Sequence, residues 1–281
     1  MASAANRTLH IAVAQVHAGG GIDENLRRIE RQARAASAVG AELILFSECA
    51  LQGYGYESDF SAATAAAQAV TLDSAPCRRL GALARSQGLV VMVGCFEAAG
   101  DRAYNSCLVA WPDGRLEVER KHVLTPAEQA AGLTPGVRAR KPFVINGVKC
   151  AIIICADGGI DGLYPMLREQ GFDYRLCPTA GGGALADMLH ERELDSAEGR
   201  AIYERERTRV CITNPILDLS EHHGLGFASA NAMGPVGRRT CHMGHCMIVD
   251  NRGVMRCQLP GTPVLEHQQD LMTHAVLQFP A

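Results

Sequence analysis

No segment of the 281-residue chain approaches the run of about 18 apolar residues that a membrane-spanning helix needs. An excess of charge is also missing, because 27 Lys and Arg residues stand against 30 Asp and Glu residues. The sequence therefore has neither the basic footprint of a nucleic-acid-binding protein nor a polybasic membrane anchor. The chain is long enough for one well-buried domain, which we predict to span residues 1–281.

Residues 1–8 lack the apolar core of a secretory signal, and we interpret them as a flexible tail of a cytoplasmic protein. The eleven cysteines are scattered, and several lie inside apolar runs. In such a chain free thiols are expected, most of them acting as small buried hydrophobic residues. One of these thiols could still serve as a nucleophile.

Short apolar runs alternate with helical patterns and turn signals along the chain. Residues 9–16, 24–39 and 41–47 predict a strand, a helix and a second strand. The turn sequences at 112–114 and 146–147 predict two hairpins. This mixture of βαβ units and hairpins indicates an α/β sandwich with parallel and antiparallel pairs. Further helices are predicted at 74–88, 163–171 and 188–209, and further strands at 89–97, 174–178, 227–232, 244–250 and 254–259.

Three side chains with useful chemistry follow predicted strands. Cys155 enters a glycine-rich turn, where a tight bend exposes the sulfur and leaves backbone N–H groups for an oxyanion. Glu48 follows another apolar run, and its partial desolvation should raise the carboxyl pKa toward that of a general base. Lys121 closes a third strand, and its ammonium could neutralise an oxyanion. Taken singly, each is also compatible with a structural or solvated residue.

Along the chain the order is Glu48, Lys121 and Cys155, each after a predicted strand. With this order the sequence resembles the nitrilase superfamily of carbon–nitrogen hydrolases, in its amidase and carbamoylase branch. The resemblance implies a four-layer α-β-β-α sandwich, no metal or organic cofactor, and a homodimer or larger homo-oligomer. The matching segments are residues 11–15, 41–48, 53–54, 93–94, 104–106, 112–114, 120–122, 154–157, 171–173, 178–180, 230–234 and 244–253.

The resemblance also implies the site residues. Glu48, Lys121 and Cys155 correspond to a catalytic triad, and Glu128 corresponds to a second glutamate that family members often carry. The substrate-binding candidates are Tyr54, Ala156, Thr179 and Ala180.

The expected reaction is hydrolysis of an amide or N-carbamoyl bond of a small molecule through a cysteine thioester. Ala156 and Asp157 stand where nitrilases tend to carry Trp-Glu, which favours amide chemistry over a nitrile. A nitrilase remains the first alternative. A catalytically silent binding protein is the second, since Ser47 replaces the family's usual proline and residues 160–162 replace its Phe-Pro-Glu.

Three weaker signals receive structural interpretations. Residues 241–246 contain soft-metal ligands, but neighbouring strand residues point to opposite faces, so we predict no metal site. Gly181–Gly183 lacks the Lys-Ser/Thr of a phosphate-binding loop and is interpreted as a loop beside the pocket. The charged segment 188–209 predicts a solvated helix, with His222 and His223 exposed at a helix end.

Overall fold

The computed structural model describes residues 7–17, 19–54, 66–137, 139–184, 196–199, 201, 223–235, 240–261 and 268–280. The helices are α1 (Ile22–Ala38), α2 (Ala75–Gln87), α3 (Pro126–Ala130) and α4 (Leu163–Glu169), and Cys155–Gly159 form a 3₁₀ turn. The strands are β1 (Arg7–Gln15), β2 (Leu43–Leu45), β3 (Val90–Ala99), β4 (Arg102–Ala110), β5 (Leu116–Arg120), β6 (Phe143–Ile145), β7 (Val148–Ile152), β8 (Tyr174–Thr179), β9 (Gly182–Ala184), β10 (Gly226–Asn231), β11 (Met233–Pro235), β12 (Thr240–Met243), β13 (Met247–Val249), β14 (Met255–Gln258) and β15 (Leu271–Phe279).

Two six-stranded sheets form the body of the molecule. The first has the order β15-β1-β2-β3-β4-β5, and the second has the order β14-β13-β10-β8-β7-β6. In each sheet three central strands are parallel, β1-β2-β3 and β7-β8-β10, and the outer strands pair antiparallel. A third, three-stranded sheet has the order β11-β12-β9. The predicted mixture of parallel and antiparallel pairs is confirmed.

The two large sheets pack face to face and carry helices on their outer faces. Along β1, Ile11 and Val13 enter the core between the sheets, whereas Ala12 and Ala14 enter the core beneath α1 and α2. Such alternation follows from the period of two in a strand. On the other side of the molecule, α4 packs on the second sheet. The predicted four-layer α-β-β-α sandwich is therefore confirmed.

Local sequence signals account for the two long helices. In α1, the buried residues Leu26, Ile29 and Ala33 recur at helical spacing and form one apolar face. In α2, a proline lies in the first turn and Gly88 ends the helix with φ +60°. Proline at the start and a left-handed glycine at the end are favourable because each suits the backbone geometry required there.

The N-terminal boundary differs from the prediction. The first strand begins at Arg7, whose guanidinium donates to the carboxylate of Asp173 at 2.7 and 2.9 Å, so the tail prediction is wrong for residues 7 and 8. The partner strand β15 was not predicted, because its exposed and half-buried residues give no clear apolar alternation. Long-range pairing with β1 forms this strand despite its weak local signal.

Three other predictions change in detail. Strand β7 ends at Ile152, so Cys155 lies in the following turn rather than at the end of the strand. Gly182–Ala184 form β9 in the small sheet, which corrects the loop prediction for that segment. The ring of His223 lies half-buried, 5.8 Å from that of Tyr164, so it is not exposed as predicted. The charged segment 188–209 and His222 lie largely outside the described residues.

Within the described ranges, no helix combines the length and the apolar character that a bilayer crossing requires.

The core between the sheets should dominate stability. Leu176 of β8 is fully buried there, and Leu176→Ala is expected to lower the free energy of unfolding by about 2–5 kcal/mol through lost burial and a cavity. Val144 of β6 is 54% exposed, so Val144→Ala should change it by less than about 0.5 kcal/mol. Urea unfolding of both variants tests this, and equal effects would contradict the assignment of the core.

Candidate active site

A buried cluster of charged side chains forms where the first sheet ends. Glu48 follows β2 and Lys121 follows β5, and the Lys121 Nζ lies 2.7 Å from Glu48 Oε1. The same Nζ lies 3.0 and 2.9 Å from the two carboxylate oxygens of Glu128. All three side chains are at most 1% exposed. The structure thus brings three of the four predicted catalytic side chains into direct contact.

Glu128 is held in place by the helix that carries it. Its backbone N–H donates to Thr125 Oγ1 at 3.3 Å, and its Oε2 accepts the backbone N–H of Thr125 at 2.8 Å. These two bonds form a capping box at the start of α3. One carboxylate therefore both caps a helix and balances the charge of Lys121.

The backbone around Glu48 is fixed from two sides. Gly94 of β3 donates its N–H to Ser47 O at 3.1 Å, and a Cβ added at Gly94 would lie 2.6 Å from the Glu48 Cα and closer still to the adjacent backbone. From the second sheet, Thr179 O accepts the Glu48 N–H at 3.2 Å. Only glycine at position 94 permits this close approach of two backbones.

Cys155 opens the 3₁₀ turn after β7 with φ +44°, a left-handed conformation that is strained for a side chain other than glycine. Burial and the charge of Glu48 raise the pKa of its thiol to about 12, although Lys121 and a hydrogen bond with the Ala180 backbone oppose the rise. The proton therefore stays on the sulfur at neutral pH until a base removes it. The hydrogen bond of the thiol with Glu48 and the nearby charge of Lys121 place the fourth predicted side chain in the same site.

Burial also sets the charge states around the thiol. It raises the pKa of Glu48, together with the charge of Glu128 and against the opposing effects of Lys121 and Asn105. Burial lowers the pKa of Lys121, but the charges of Glu48 and Glu128 outweigh it and the net shift is upward. The site accordingly contains a carboxylate that can exchange protons at higher pH than usual, beside a permanent ammonium.

Asp157 joins the Cys155 turn to the segment after Lys121. Its Oδ1 accepts the backbone N–H groups of His122 and Val123 at 2.9 and 2.7 Å. Its Oδ2 accepts from Arg140 Nη1 at 3.0 Å, and both side chains are buried. Sequence reasoning assigned no role to Asp157, although it lies in a matching segment, and no sequence signal pointed to Arg140.

The four substrate-binding candidates differ in position. Tyr54 adjoins the cluster, with its ring centroid 5.9 Å from Lys121 Nζ, and the Ala180 backbone contacts Cys155. The hydroxyl of Thr179 lies 3.2 Å from Asn231 Oδ1, so its side chain is turned to the neighbouring strand β10. The backbone carbonyl of Thr179 accepts the Glu48 N–H. Ala156 follows Cys155 in the turn and is half-buried.

In the part of the chain that the structure describes, no group of three or more His, Cys, Asp or Glu side chains could hold a metal ion. His242, His245 and Cys246 are buried, and the side chain of Cys241 lies outside that part.

Sequence comparison matches residues 10–188 to the family model described as carbon-nitrogen hydrolase. Over 182 residues the chain is 25% identical to a protein of Mycobacterium tuberculosis named as a hydrolase, covering 62% of each chain. Over 191 residues it is 28% identical to N-carbamoylputrescine amidase of Solanum tuberosum, covering 65% of this chain and 62% of that protein. The chain thus matches about 62% of the length of these two relatives.

The fold is similar to that of an amidase of the nitrilase superfamily from Nesterenkonia AN1. The TM-score is 0.70 at 19% identity, and the match covers 100% of this chain and 94% of the other. Another structure of that amidase carries the acetamide moiety of fluoroacetamide covalently at its active-site cysteine. At this level of identity the likeness shows a shared fold.

The close approach at Gly94 gives a test of the site geometry. Gly94→Ala should displace the Glu48 backbone and slow the reaction of Cys155 with iodoacetamide by at least about tenfold, since the thiol then loses the placement of its neighbouring carboxylate. Gly81→Ala in α2 is the control, because its new methyl group would meet Gly114 O at 3.3 Å, a far milder contact than the 2.6 Å between a Cβ at position 94 and the Glu48 Cα. Peptide mass spectrometry measures the rate, and unchanged alkylation in Gly94→Ala would contradict the described geometry.

Proposed function

Because the chain belongs to the carbon–nitrogen hydrolase family, we propose that it hydrolyses an amide or N-carbamoyl bond of a small molecule through a thioester on Cys155. The observation that carries this proposal is the hydrogen bond of the thiol with Glu48, which is itself buried in a cluster with Lys121 and Glu128. A thiol, a base with a raised pKa and a fixed ammonium are the groups that such acyl transfer requires.

In the first step, Glu48 takes the proton of the Cys155 thiol while the sulfur bonds to the carbonyl carbon of the substrate. Oε1 of Glu48 already accepts from Lys121 and Asn105, which leaves Oε2 for the incoming proton. The carbonyl oxygen becomes an oxyanion, and the nearby Lys121 ammonium stabilises its negative charge.

In the second step, the tetrahedral intermediate collapses. Glu48 returns its proton to the nitrogen, the carbon–nitrogen bond breaks, and ammonia or an amine leaves as the thioester forms. Water then donates a proton to Glu48 and adds to the thioester carbon, the carbon–sulfur bond breaks, and the proton returns to the sulfur. Attack, collapse and hydrolysis all balance with these side chains and one water molecule, without oxidation or reduction.

Amide chemistry is favoured over nitrile chemistry by the residues after Cys155. Ala156 replaces the bulky residue expected of a nitrilase, and Asp157 is engaged by two backbone N–H groups and Arg140. The similarity to N-carbamoylputrescine amidase supports the same choice. A silent binding protein is disfavoured because two buried carboxylates around one lysine are costly to desolvate and have a clear catalytic use.

Cellular location and assembly are separate parts of the proposal. The cysteines whose side chains are described are free thiols, which supports a reducing compartment such as the cytoplasm. A homodimer or larger homo-oligomer stays a prediction from the family resemblance, and light scattering of the purified protein tests it.

The reaction is tested with a panel of amides, ureido acids and nitriles. The wild-type protein should hydrolyse an amide or ureido acid and show an acyl adduct on Cys155 by mass spectrometry. Cys155→Ala should lose on the order of 10⁴-fold or more in rate, as expected for a nucleophile. Cys257→Ala, which removes a half-buried thiol of the outer strand β14, should retain the activity. Turnover of nitriles alone would favour the nitrilase, and no adduct across the panel would favour the binding protein.

The pH dependence tests the role of Glu48. The carboxylate is the active form, so kcat/KM should fall as the pH drops through the raised pKa of Glu48, which lies above the ordinary carboxyl range. The charge of Glu128 raises this pKa, so Glu128→Gln should move the acidic limb of the pH profile of kcat/KM to lower pH. Gln at this position can still cap α3. A limb that moves to higher pH would contradict this arrangement.

A further inference from the structure

Asn105 of β4 contacts every charged member of the cluster. Its backbone oxygen accepts the backbone N–H of Lys121 at 2.8 Å. Its Nδ2 lies 2.7 Å from Glu48 Oε1 and 2.5 Å from Glu128 Oε1. The residue is 1% exposed, so water does not replace these bonds. In the mechanism above, the bond to Glu48 Oε1 only leaves Oε2 free for the proton. Together the three bonds connect the carboxylates of Glu48 and Glu128 with the backbone of Lys121.

The orientation of the Asn105 amide is set by a hydrogen bond from Cys49. The two ends of an asparagine amide have the same shape, and only their hydrogen bonds distinguish them. Cys49 Sγ lies 3.6 Å from Asn105 Oδ1 and donates to it. Burial and the charges of Glu48 and Glu128 raise the pKa of the Cys49 thiol well above its usual range, so it remains a donor. The reverse orientation would place a carbonyl oxygen against two carboxylates.

We propose that Asn105 is a positioning residue that holds Glu48 and Glu128 against Lys121, and that the Cys49 thiol fixes the orientation of its amide. This inference rests on the proposed function, because it assigns Asn105 a part in preparing Glu48 to act as the base. Asn105 touches neither the sulfur nor the reacting carbon in this scheme and acts through the carboxylates.

The chemical consequence concerns the proton affinity of Glu48. Burial raises the pKa of Glu48, and the hydrogen bond from Asn105 is one of the interactions that lower it. Without this bond the carboxylate would hold its proton to higher pH, and less of the base would be available near neutrality. The titratable groups that face Glu48 are Lys121, Glu128, Cys155, Cys49 and Tyr54.

Alkylation by iodoacetamide tests the inference without a known substrate. The Cys155 sulfur displaces iodide from the methylene carbon, a carbon–sulfur bond forms, and Glu48 takes the thiol proton. Peptide mass spectrometry follows the rate at Cys155 across the neutral pH range. In Asn105→Ala we expect the rate–pH curve to move to higher pH, with a rate about tenfold lower on its acidic side, as for loss of a hydrogen bond to a carboxylate.

Ser106→Ala is the matched control. Ser106 is the next residue of β4, and its hydroxyl donates at 2.6 Å to Glu97, a buried carboxylate on the other face of the strand. This variant also removes a hydrogen bond to a buried carboxylate. It should lower the melting temperature without moving the rate–pH curve of Cys155.

Two changes at Cys49 complete the test and remain informative if Asn105→Ala does not fold. Cys49→Ala removes the donor to Asn105 and should move the curve in the same direction by a smaller amount. Cys49→Ser keeps a donor and should restore most of the wild-type curve. Wild-type curves in both Asn105→Ala and Cys49→Ala would overturn the inference.

A Glu48→Gln variant separates this inference from the proposed function. Slow alkylation of Cys155 in Glu48→Gln together with a wild-type curve for Asn105→Ala would contradict the role of Asn105 and leave that of Glu48 intact. Alkylation of Glu48→Gln as fast as that of the wild type would instead reject Glu48 as the base, and with it the proposed function.

Discussion

Two carboxylates share one ammonium in a region closed to water, and this arrangement constrains the rest of the site. Glu48, Glu128 and Lys121 are almost completely buried, so each charge must be compensated by neighbours rather than by solvent. The compensation demands distances near 3 Å, which only rigid backbone can maintain. The strand ends, a capped helix and the Asn105 amide together supply that rigidity.

The site is assembled from elements of both sheets of the sandwich. Glu48 and Lys121 extend from the first sheet, whereas Cys155 follows a strand of the second. Backbone N–H groups donate across the two sheets, that of Glu48 to Thr179 O and those of His122 and Val123 to the Asp157 carboxylate. Packing of the two sheets thereby sets the separation between the Cys155 thiol and the Glu48 carboxylate.

The order of Glu48, Lys121 and Cys155 resembled the family, and that resemblance implied the layers. Most strands were predicted separately, because buried runs and turn sequences are local signals that survive folding. The family match and the strand order confirm the family and the layers. Other features required coordinates. Strand β15 depends on pairing with residues at the opposite end of the chain, and Arg140 reaches Asp157 from a segment without a motif. The grouping of Glu48, Lys121 and Glu128 was implied by family resemblance, whereas the contacts of Asn105 were found in the structure.

The double duty of Glu128 links the folding of a short helix to electrostatics. Its carboxylate closes the first turn of α3 and also faces Lys121. When that turn frays, the helix loses its cap and the ammonium loses one of its two counter-ions in the same event. A five-residue helix would ordinarily be a minor surface detail. Here its opening and closing would change the proton affinity of Glu48, because the charge of Glu128 raises the pKa of that carboxyl. Local unfolding of α3 and protonation of Glu48 are therefore coupled equilibria.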